Sequence, residues 1–475
     1  MKLKYKLILS GLLAGLIFFS SCTEDWEELN VDPNNPTEVP ATNLLAQAMR
    51  YFGDTYYDAW FNMNNTSTYA GHLGKIQYID ESRYFERESV INDQWTYLYY
   101  VAVDLENAKQ FALENGNRNL YAAALTFQSL AYQIGTDSWR DMPFRESIQG
   151  AEGITNPAYD TQETIYPALL DSLKKAGDIF AEGNITKLGD GDILFNGDVS
   201  KWQKFANSLR LRLANRIHGV SSTLAETHLN EVLDNPSTYP IMESNDDNAF
   251  LYWPGSAPYK EPWMEDSETR DDHAVGSYLI DYLVAEGDPR LPVIAKPAKS
   301  DDTYRGVVPG VSDDNIGNIS QYSRIGDLYR GNAMGFTPYM RYSEVLFIIA
   351  EYNSNQTVFE DAIVASCVEN GIDAATAEAY AGGYDVNTDD LYYQKWVALF
   401  KQGHEAWAET RRTDVPLMSA APDSRFEGHN RPPFRFAYPT NETNLNSANS
   451  STYVAKVEDR FWGQQMWWDT RSGVN

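Results

Sequence analysis

Apolar residues recur at helical spacing along most of the chain after residue 43. The clearest stripe carries Trp95, Leu98, Tyr99, Ala102, Leu105 and Ala108. Steps of three and four residues are typical of an amphipathic helix. Gly116 ends this predicted helix, and a second helical pattern over residues 120–134 follows after a very short connection. Helices joined by such short links are expected to pack antiparallel.

Six further segments show the same period, and two of them follow a capping-box spacing, Asp160 with Glu163 and Ser200 with Gln203. The predicted helices are 164–180, 201–218, one that starts at Thr223 and stops near Pro236, 339–352, 359–369 with Gly371 after its end, and 391–412. Antiparallel pairs of this length predict an all-α fold of tetratricopeptide-like helix pairs with few short strands.

Two of these helices carry polar residues on otherwise apolar faces. In 391–412, His404 shares a stripe with Trp396 and Trp407, which favours a packed helix with a hydrogen-bonded histidine. Gly403 on that helix should allow a neighbour to approach closely. Glu344 and Glu351 lie beside very apolar neighbours and therefore need cationic partners. Arg411 and Arg412 are the candidates.

Two long segments, 240–338 and 413–460, lack this periodicity and are rich in Gly, Pro, Asp and Asn. Non-periodic segments of such length in an ordered protein tend to be functional or to wrap a core. We therefore expect a single α-helical domain over residues 43–475 with two loop-rich excursions.

The N-terminus has the features of a secretory signal. Lys2, Lys4 and Lys6 precede an apolar run over residues 7–19, which is too short to cross a bilayer, and two serines precede Cys22. The interpretation is a signal peptide over residues 1–21, a lipid attached to Cys22, and a tether over 22–42 that contains three prolines.

The composition of the chain limits the classes of molecule that it can bind. The net charge of −29 disfavours nucleic acid, because a chain this acidic repels phosphate backbones. Besides Cys22 the only cysteine is Cys367, so no disulfide can form within one molecule, and a buried inert thiol is the expected state. The 12 Trp and 31 Tyr suit either core packing or stacking against sugar rings.

The sequence contains only weak matches to known catalytic motifs. A zinc-protease helix would need a second histidine where Ala408 stands after His404 and Glu405, and the six histidines show no metal-ligand spacing. Asp137 and Asp141 form a carboxylate pair of the kind that glycoside hydrolysis uses, but a solvated or loop-capping role is the favoured interpretation.

We expect no enzyme activity, no catalytic metal and no cofactor. A structural calcium ion would find oxygen ligands in two Asp-rich loops, one with Asp301 and Asp302 and one with Asp313 and Asp314.

Four ordered segments, taken together, resemble the SusD/RagB family, in its starch-binding-associated branch. They are Gly-Thr-Asp-Ser-Trp-Arg-Asp-Met-Pro-Phe at 135–144, which has extra residues within the family's Gly-Asp-x-Pro-Tyr turn; Tyr-Leu at 282–283 with Asp-Pro-Arg-Leu-Pro at 288–292 and Tyr-Arg-Gly at 304–306; Arg-Tyr-Ser-Glu-Val at 341–345 with Ala-Glu at 350–351; and Gln-Lys-Trp-Val-Ala-Leu-Phe at 394–400 with Gly-His-Glu-Ala-Trp at 403–407 and Arg-Arg-Thr at 411–413.

The resemblance implies a lipid-anchored protein of the outer membrane that faces the cell exterior, an orientation that Thr23, Glu24 and Asp25 also favour. It implies that the protein binds an oligosaccharide, or a peptide, and delivers it to a SusC-like TonB-dependent transporter. Two other classes stay open, a surface glycan-degrading enzyme and a structural or adhesive surface lipoprotein.

Loop aromatic residues with polar neighbours are the candidates for binding a sugar, because a sugar's apolar face stacks on Trp or Tyr while its hydroxyls find polar partners. The candidate ligand-binding residues are Trp253, Tyr259 and Trp263, with Tyr252 and Lys260 beside them, and Tyr69 and His72, with Tyr78 nearby. Trp60 and Trp95 are expected in the core.

Overall fold

The computed structural model describes residues 40–457 and 459–475. The predicted signal peptide, Cys22 and the tether up to residue 39 lie outside the described residues. Helices dominate and strands are few and short, which confirms the predicted all-α fold. Among the residues described, none of the helices combines the length and the apolar composition that a membrane crossing requires.

The first half of the chain is a series of helices in which α3 to α7 each pack on the next, while α1 packs on α3. This is the tetratricopeptide-like arrangement. The helices are α1 (Ala41–Tyr56), a π-helix (Ala59–Thr66), α2 (Ser67–Tyr69), a 3-10 turn (Glu81–Arg83), α3 (Glu88–Glu114), α4 (Arg118–Trp139), α5 (Gln162–Ala181), α6 (Val199–Ile217) and α7 (Ser222–Leu233).

Helix α4 is buried along nearly its whole length because α3 and α5 both pack against it. Small residues allow this close packing. A Cβ on Gly135 would lie 2.6 Å from Leu98 Cδ2 of α3, and alanines occupy positions 122 to 124. Trp95 lies in the core as predicted, and Gly116 has a φ of +66° in the short link between α3 and α4.

The strands are divided between the first half of the chain and the excursion over residues 240–338. The first half contains β1 (Leu73–Lys75), β2 (Met142–Pro143) and β3 (Tyr159–Asp160). The excursion contains a 3-10 turn (Asn245–Asp247), β4 (Ala249–Tyr252), α8 (Pro262–Ser267), β5 (His273–Val275), α9 (Ser277–Ala285), α10 (Leu291–Ile294), α11 (Asp313–Ile316), a 3-10 turn (Ile319–Gln321), α12 (Asp327–Arg330) and the start of β6 (Phe336–Met340). The strands form three two-stranded antiparallel sheets, β1 with β5, β2 with β3, and β4 with β6.

A second set of helices follows and packs back on the first. It consists of α13 (Tyr342–Asn353), α14 (Gln356–Glu369), α15 (Ala374–Ala381), α16 (Asp390–Ala398), α17 (Gly403–Thr413), α18 (Thr440–Leu445) and α19 (Ser447–Val454). Helix α13 contacts α6, and α17 contacts both α4 and the π-helix. Cys367 of α14 is buried, and burial raises the pKa of its thiol to about 11.

The prediction of one continuous helix over residues 391–412 is wrong. The chain breaks between α16 and α17, where Lys401 has a φ of +74°. The break turns the Lys401 ammonium into the core, where it lies 2.9 Å from Glu261 Oε1 and donates to the carbonyl of Tyr329 at 2.9 Å. A buried ammonium requires such partners, and this requirement outweighs helix continuity.

Both predicted capping boxes are also wrong. Helix α5 begins after Thr161, because Asp160 belongs to β3 and accepts a bond from Arg145 Nε at 2.6 Å. Helix α6 has its N-cap at Asp198, whose carboxylate accepts from the Ser200 and Lys201 amides. Helix α13 starts three residues after the predicted 339, because the preceding residues form β6.

Buried ion pairs join α6, α13, α16 and α17, and we call them the buried ion network. Its pairs are Arg212–Glu344 at 2.6 Å, Arg412–Glu351 at 2.7 Å, Arg412–Glu409 at 2.8 Å, Lys395–Glu409 at 2.9 Å and Arg216–Glu405. The predicted partner of Glu351, Arg412, is confirmed, whereas Glu344 pairs with Arg212 of α6. The motif residues of 341–345 and 403–412 therefore hold the helices together.

Candidate functional site

Four of the five predicted ligand-binding residues are buried. Trp253, Trp263, Tyr69 and His72 expose 4%, 0%, 3% and 0% of their surface. Stacking on a sugar needs an exposed ring face, so the predicted role does not match these positions. Trp253 packs against α1, where a Cβ on Gly53 would lie 3.3 Å from its ring, and its Nε1 donates to Thr337 Oγ1 at 2.9 Å.

The polar atoms of the other buried candidates are only partly occupied, since His72 Nδ1 and Trp263 Nε1 have no hydrogen-bond partner among the described residues. His72 Nε2 lies 3.0 Å from the carbonyl of Trp396, and burial lowers the pKa of His72 to about 3. The hydroxyl of Tyr69 donates to Asn65 Oδ1 at 3.2 Å. Tyr259 is the exception, with 37% of its surface exposed and the Arg50 guanidinium 4.4 Å from its ring centroid.

Trp60, which we expected in the core, is instead 44% exposed. It lies on the π-helix Ala59–Thr66, which follows the end of α1 after a two-residue bend. The Asp58 carboxylate caps this helix by accepting from the Phe61 amide at 2.7 Å. Phe61 takes the inward position against Trp139 and Phe436, so the ring of Trp60 turns outward.

An open cavity of about 360 Å³ lies beside the Trp60 ring, and we call it the Trp60 cavity. Its walls come from the last turn of α1, the start of the π-helix and the first turns of α3. The lining residues are Asp54, Thr55, Asp58, Trp60, Arg87, Ser89, Val90, Asp93, Gln94 and Tyr97. Seven of these ten residues are polar or charged, and the other three are Trp60, Val90 and Tyr97.

The aromatic walls are held in place by their neighbours. Arg87 lies with its guanidinium carbon 5.4 Å from the Trp60 ring centroid and is itself paired with the buried Glu81. Glu81 also binds Lys75 at 2.8 Å, which fixes the carboxylate. Tyr97 contacts Tyr51 of α1 edge to face, with ring centroids 6.2 Å apart. Trp60 and Tyr97 therefore present ring surface to solvent from supported positions.

Acidic side chains determine the charge of the cavity. Burial raises the pKa of Asp58 to about 7, against hydrogen bonds from the Phe61 and Trp60 amides that lower it, while Asp54 raises it further. Asp54 and Asp93 are exposed. Arg87 is the only cationic side chain among the residues that line the cavity.

Two other cavities have walls less suited to a sugar. One of about 240 Å³ lies between the start of α3 and residues 437–460, and its aromatic residue, Tyr438, is buried. The other, of about 810 Å³, is an open cleft formed mainly by residues 419–431, where Phe426 packs on Phe461 and Trp462. Neither combines two exposed aromatic rings with a polar floor.

The carboxylate pair that hydrolysis would need is occupied. Asp137 is buried, and its oxygens accept from Gln133 Nε2, Tyr166 OH and Trp468 Nε1 at 2.7 to 2.8 Å. Asp141 accepts from the first amide of α5 at 2.9 Å. The favoured capping role is confirmed for Asp141, while the alternative of solvated carboxylates is wrong for both residues, because they are buried.

His404 is also engaged, with Nε2 2.6 Å from the carbonyl of Tyr56, and Gly403 allows close approach as predicted, since a Cβ there would lie 2.5 Å from Ser67 Oγ. Over the part of the chain that the structure describes, no group of three or more metal-ligating side chains is found. In the first proposed calcium loop, Asp301 binds Thr303 and Arg305 instead.

The family model described as SusD-like, starch-binding associating with outer membrane, matches residues 33–439. The chain belongs to this SusD-like family. Comparison of the sequence with curated proteins gives no match.

Solved structures of SusD homologues share the fold. A protein named as chitin-binding is 24% identical, with a TM-score of 0.80 over 91% of this chain and 100% of that one. A SusD homologue from Bacteroides uniformis is 21% identical, with a TM-score of 0.79 over the same shares. A chitin-binding SusD homologue from Flavobacterium johnsoniae is 22% identical, with a TM-score of 0.77 over 91% and 98%.

The sequence contains one signal of the backbone change beside the cavity. Three asparagines, at 62, 64 and 65, lie within five residues after Trp60, and Asp58 precedes it by two residues. Polar residues at this density do not suit the continuation of the apolar stripe of α1. They indicate a change of backbone geometry, which the structure shows to be the π-helix.

Proposed function

We propose that this SusD-like protein captures an oligosaccharide at the Trp60 cavity and delivers it to a SusC-like TonB-dependent transporter. The observation that carries the proposal is the open cavity with the Trp60 and Tyr97 rings on its walls and Thr55, Ser89 and Asp93 beside them. Ring stacking and hydrogen bonds to hydroxyls are the two interactions that a sugar offers.

The binding role that we propose involves no bond cleavage. The carboxylate pair that the sequence suggested for hydrolysis, Asp137 and Asp141, is buried and hydrogen-bonded, and we expect the cavity carboxylates of Asp54, Asp58 and Asp93 to bind the ligand without cleaving it. An inverting or retaining glycosidase needs two accessible carboxyl groups on either side of the bond. Incubation with oligosaccharides should therefore release no new reducing ends.

Anchoring and orientation belong to the same proposal. A lipid on Cys22 would keep the capture domain beside an embedded channel, on the outer face of the outer membrane. Replacement of Cys22 by Ser should abolish incorporation of labelled fatty acid and release the protein from the membrane fraction. Purification from membranes should bring the transporter with the wild-type protein.

Isothermal titration with α-glucan and N-acetylglucosamine oligosaccharides tests the site. Truncating a central Trp of a binding site typically costs about 2 kcal/mol or more, so Trp60→Ala should weaken binding by roughly thirtyfold. Phe111→Ala, which removes an exposed aromatic ring at the other end of α3, is the matched control and should bind like the wild type. Equal affinity of Trp60→Ala and the wild type would rule out the Trp60 cavity.

A further inference from the structure

The acidic side chains of the Trp60 cavity have no cationic partner. Asp54, Asp58 and Asp93 take part in none of the ion pairs found within residues 40–457 and 459–475. The one cation of the lining, Arg87, is paired with Glu81 outside the cavity. Asp54 lies in the last turn of α1, where the free carbonyl groups of the helix add partial negative charge. Asp54 and Asp93 therefore make the cavity negative, and it lacks a counter-ion.

A buried acceptor in the same cavity also lacks a partner. Gln94 is 3% exposed, and its Nε2 donates to the carbonyl of Thr55 at 3.1 Å, which fixes the orientation of the amide. Its Oε1 accepts no hydrogen bond from any residue that the structure describes. A buried acceptor without a donor is costly, and a ligand that supplies a donor removes that cost.

From this geometry we infer that the Trp60 cavity binds an amino sugar whose amine is free and protonated. The inference rests on the proposed function and names the class of sugar. An ammonium group offers three donors and a positive charge. It meets the unpaired carboxylates and the free Gln94 acceptor, while the sugar ring covers Trp60.

Other sugars would satisfy this cavity less well. A uronic acid would bring a second negative charge next to Asp54 and Asp93, and like charges at such short range are repelled. An N-acetylated sugar keeps the stacking face but replaces the ammonium by a neutral amide. It gains no attraction from the carboxylates. A charge-assisted hydrogen bond is roughly twice as strong as a neutral one, so the free amine should be preferred.

A lysine side chain also carries an ammonium group, but it lacks the flat ring face that fits the exposed Trp60 ring. The cavity also offers the Ser89 and Thr55 hydroxyls for a ring with several hydroxyl groups. The shape and the polar groups together therefore favour a sugar over a lysine-containing peptide.

The test compares the glucosamine trimer with the N-acetylglucosamine trimer by titration calorimetry with the full folded protein at pH 7 and low salt. We expect the glucosamine trimer to bind at least tenfold more tightly. Asp93→Asn should weaken the glucosamine trimer by about fivefold, a typical loss for one partly exposed ion pair, and leave the N-acetylated trimer unchanged. Glu114→Gln, an exposed carboxylate at the far end of α3, is the matched control.

The outcomes separate this inference from the proposed function. If both trimers bind equally and both depend on Trp60, glycan capture stands and the preference for a free amine is overturned. If neither trimer binds while an α-glucan oligosaccharide does, the assignment of an amino sugar is overturned and glycan capture stands; if no oligosaccharide binds, both proposals fail. If a trilysine peptide binds more tightly than the glucosamine trimer, the preference for a sugar is overturned.

Discussion

The buried ion network and the Trp60 cavity show opposite relations between motif and function. The network contains the longest matched segments of the chain, 394–400 and 403–413, and its charges are paired in the interior. The cavity is built from residues that belong to none of the matched segments, and its carboxylates are unpaired. Motif strength in this chain therefore marks the scaffold. The unpaired charges lie at the proposed site.

Breaking the buried ion network should have the largest effect. It should lower the free energy of unfolding without changing glycan binding by the folded protein. Arg212→Met removes the guanidinium that binds Glu344 and donates to the carbonyl of Tyr339 at 3.0 Å. Loss of one partner of a buried pair typically costs about 3–5 kcal/mol, because the other charge stays buried. Urea unfolding should show this loss, and the folded fraction should bind glycan normally.

The control for that variant is Arg305→Met, which removes an exposed pair with Asp301. Its destabilisation should be much smaller, since solvent screens exposed pairs. Equal destabilisation by the two substitutions would contradict the assignment of the network as a principal support of the fold.

Gly403→Ala should link the two regions. The added Cβ would lie 2.5 Å from Ser67 Oγ and 2.7 Å from the Ser67 amide, directly after the π-helix that carries Trp60. Overpacking of this kind typically costs about 1–3 kcal/mol. We expect lower stability and, because the π-helix must shift, weaker glycan binding as well. Gly382→Ala, whose nearest contact would be 3.7 Å away, should change neither property.

Trp253→Phe should distinguish the residue predicted from the sequence from the proposed Trp60 cavity. The change keeps an aromatic ring against α1 but loses the hydrogen bond to Thr337, which typically costs about 1 kcal/mol. Glycan affinity, measured by calorimetry, should stay within the error of the wild type. A large loss of affinity in this variant would instead support a site near Trp253.

One further effect depends on pH. The pKa of Asp58 is raised to about 7 in the folded protein, so the folded state holds a proton that the unfolded chain releases near pH 4. Stability should therefore fall as pH rises from about 4 to about 7. Asp58→Asn keeps an acceptor for the Phe61 amide and should remove this part of the pH dependence. Thermal midpoints across this range, with Asp234→Asn as an exposed control, provide the measurement.

Helical periodicity predicted most of the scaffold, because wide apolar stripes such as that of α3 can be buried in only one way. It failed where a single residue decided the geometry. The helix over 391–412 breaks because Lys401 reaches Glu261, a partner 140 positions earlier in the chain. Pairings over such distances are not visible in a local pattern.

The exposure of Trp60 was not predicted, for a related reason. Phe52, Tyr56 and Trp60 are spaced by four residues, which places Trp60 on the buried face of a continued α1. The helix instead ends at Tyr56, and a π-helix begins at Ala59, which places Phe61 on the buried side. Trp253 packs against α1, and Trp263 packs against Lys401. The composition of the loops around these two residues did not reveal either contact.

All the walls of the Trp60 cavity come from residues 54–97, one continuous stretch early in the chain. Apart from α1 and the start of α3, the paired helices that support it are encoded after that stretch. Under the proposed function, ligand preference can therefore diverge through changes in one short part of the gene while most supporting helices are inherited intact. Residues 54–97 thus form a natural cassette for exchanging specificity between relatives.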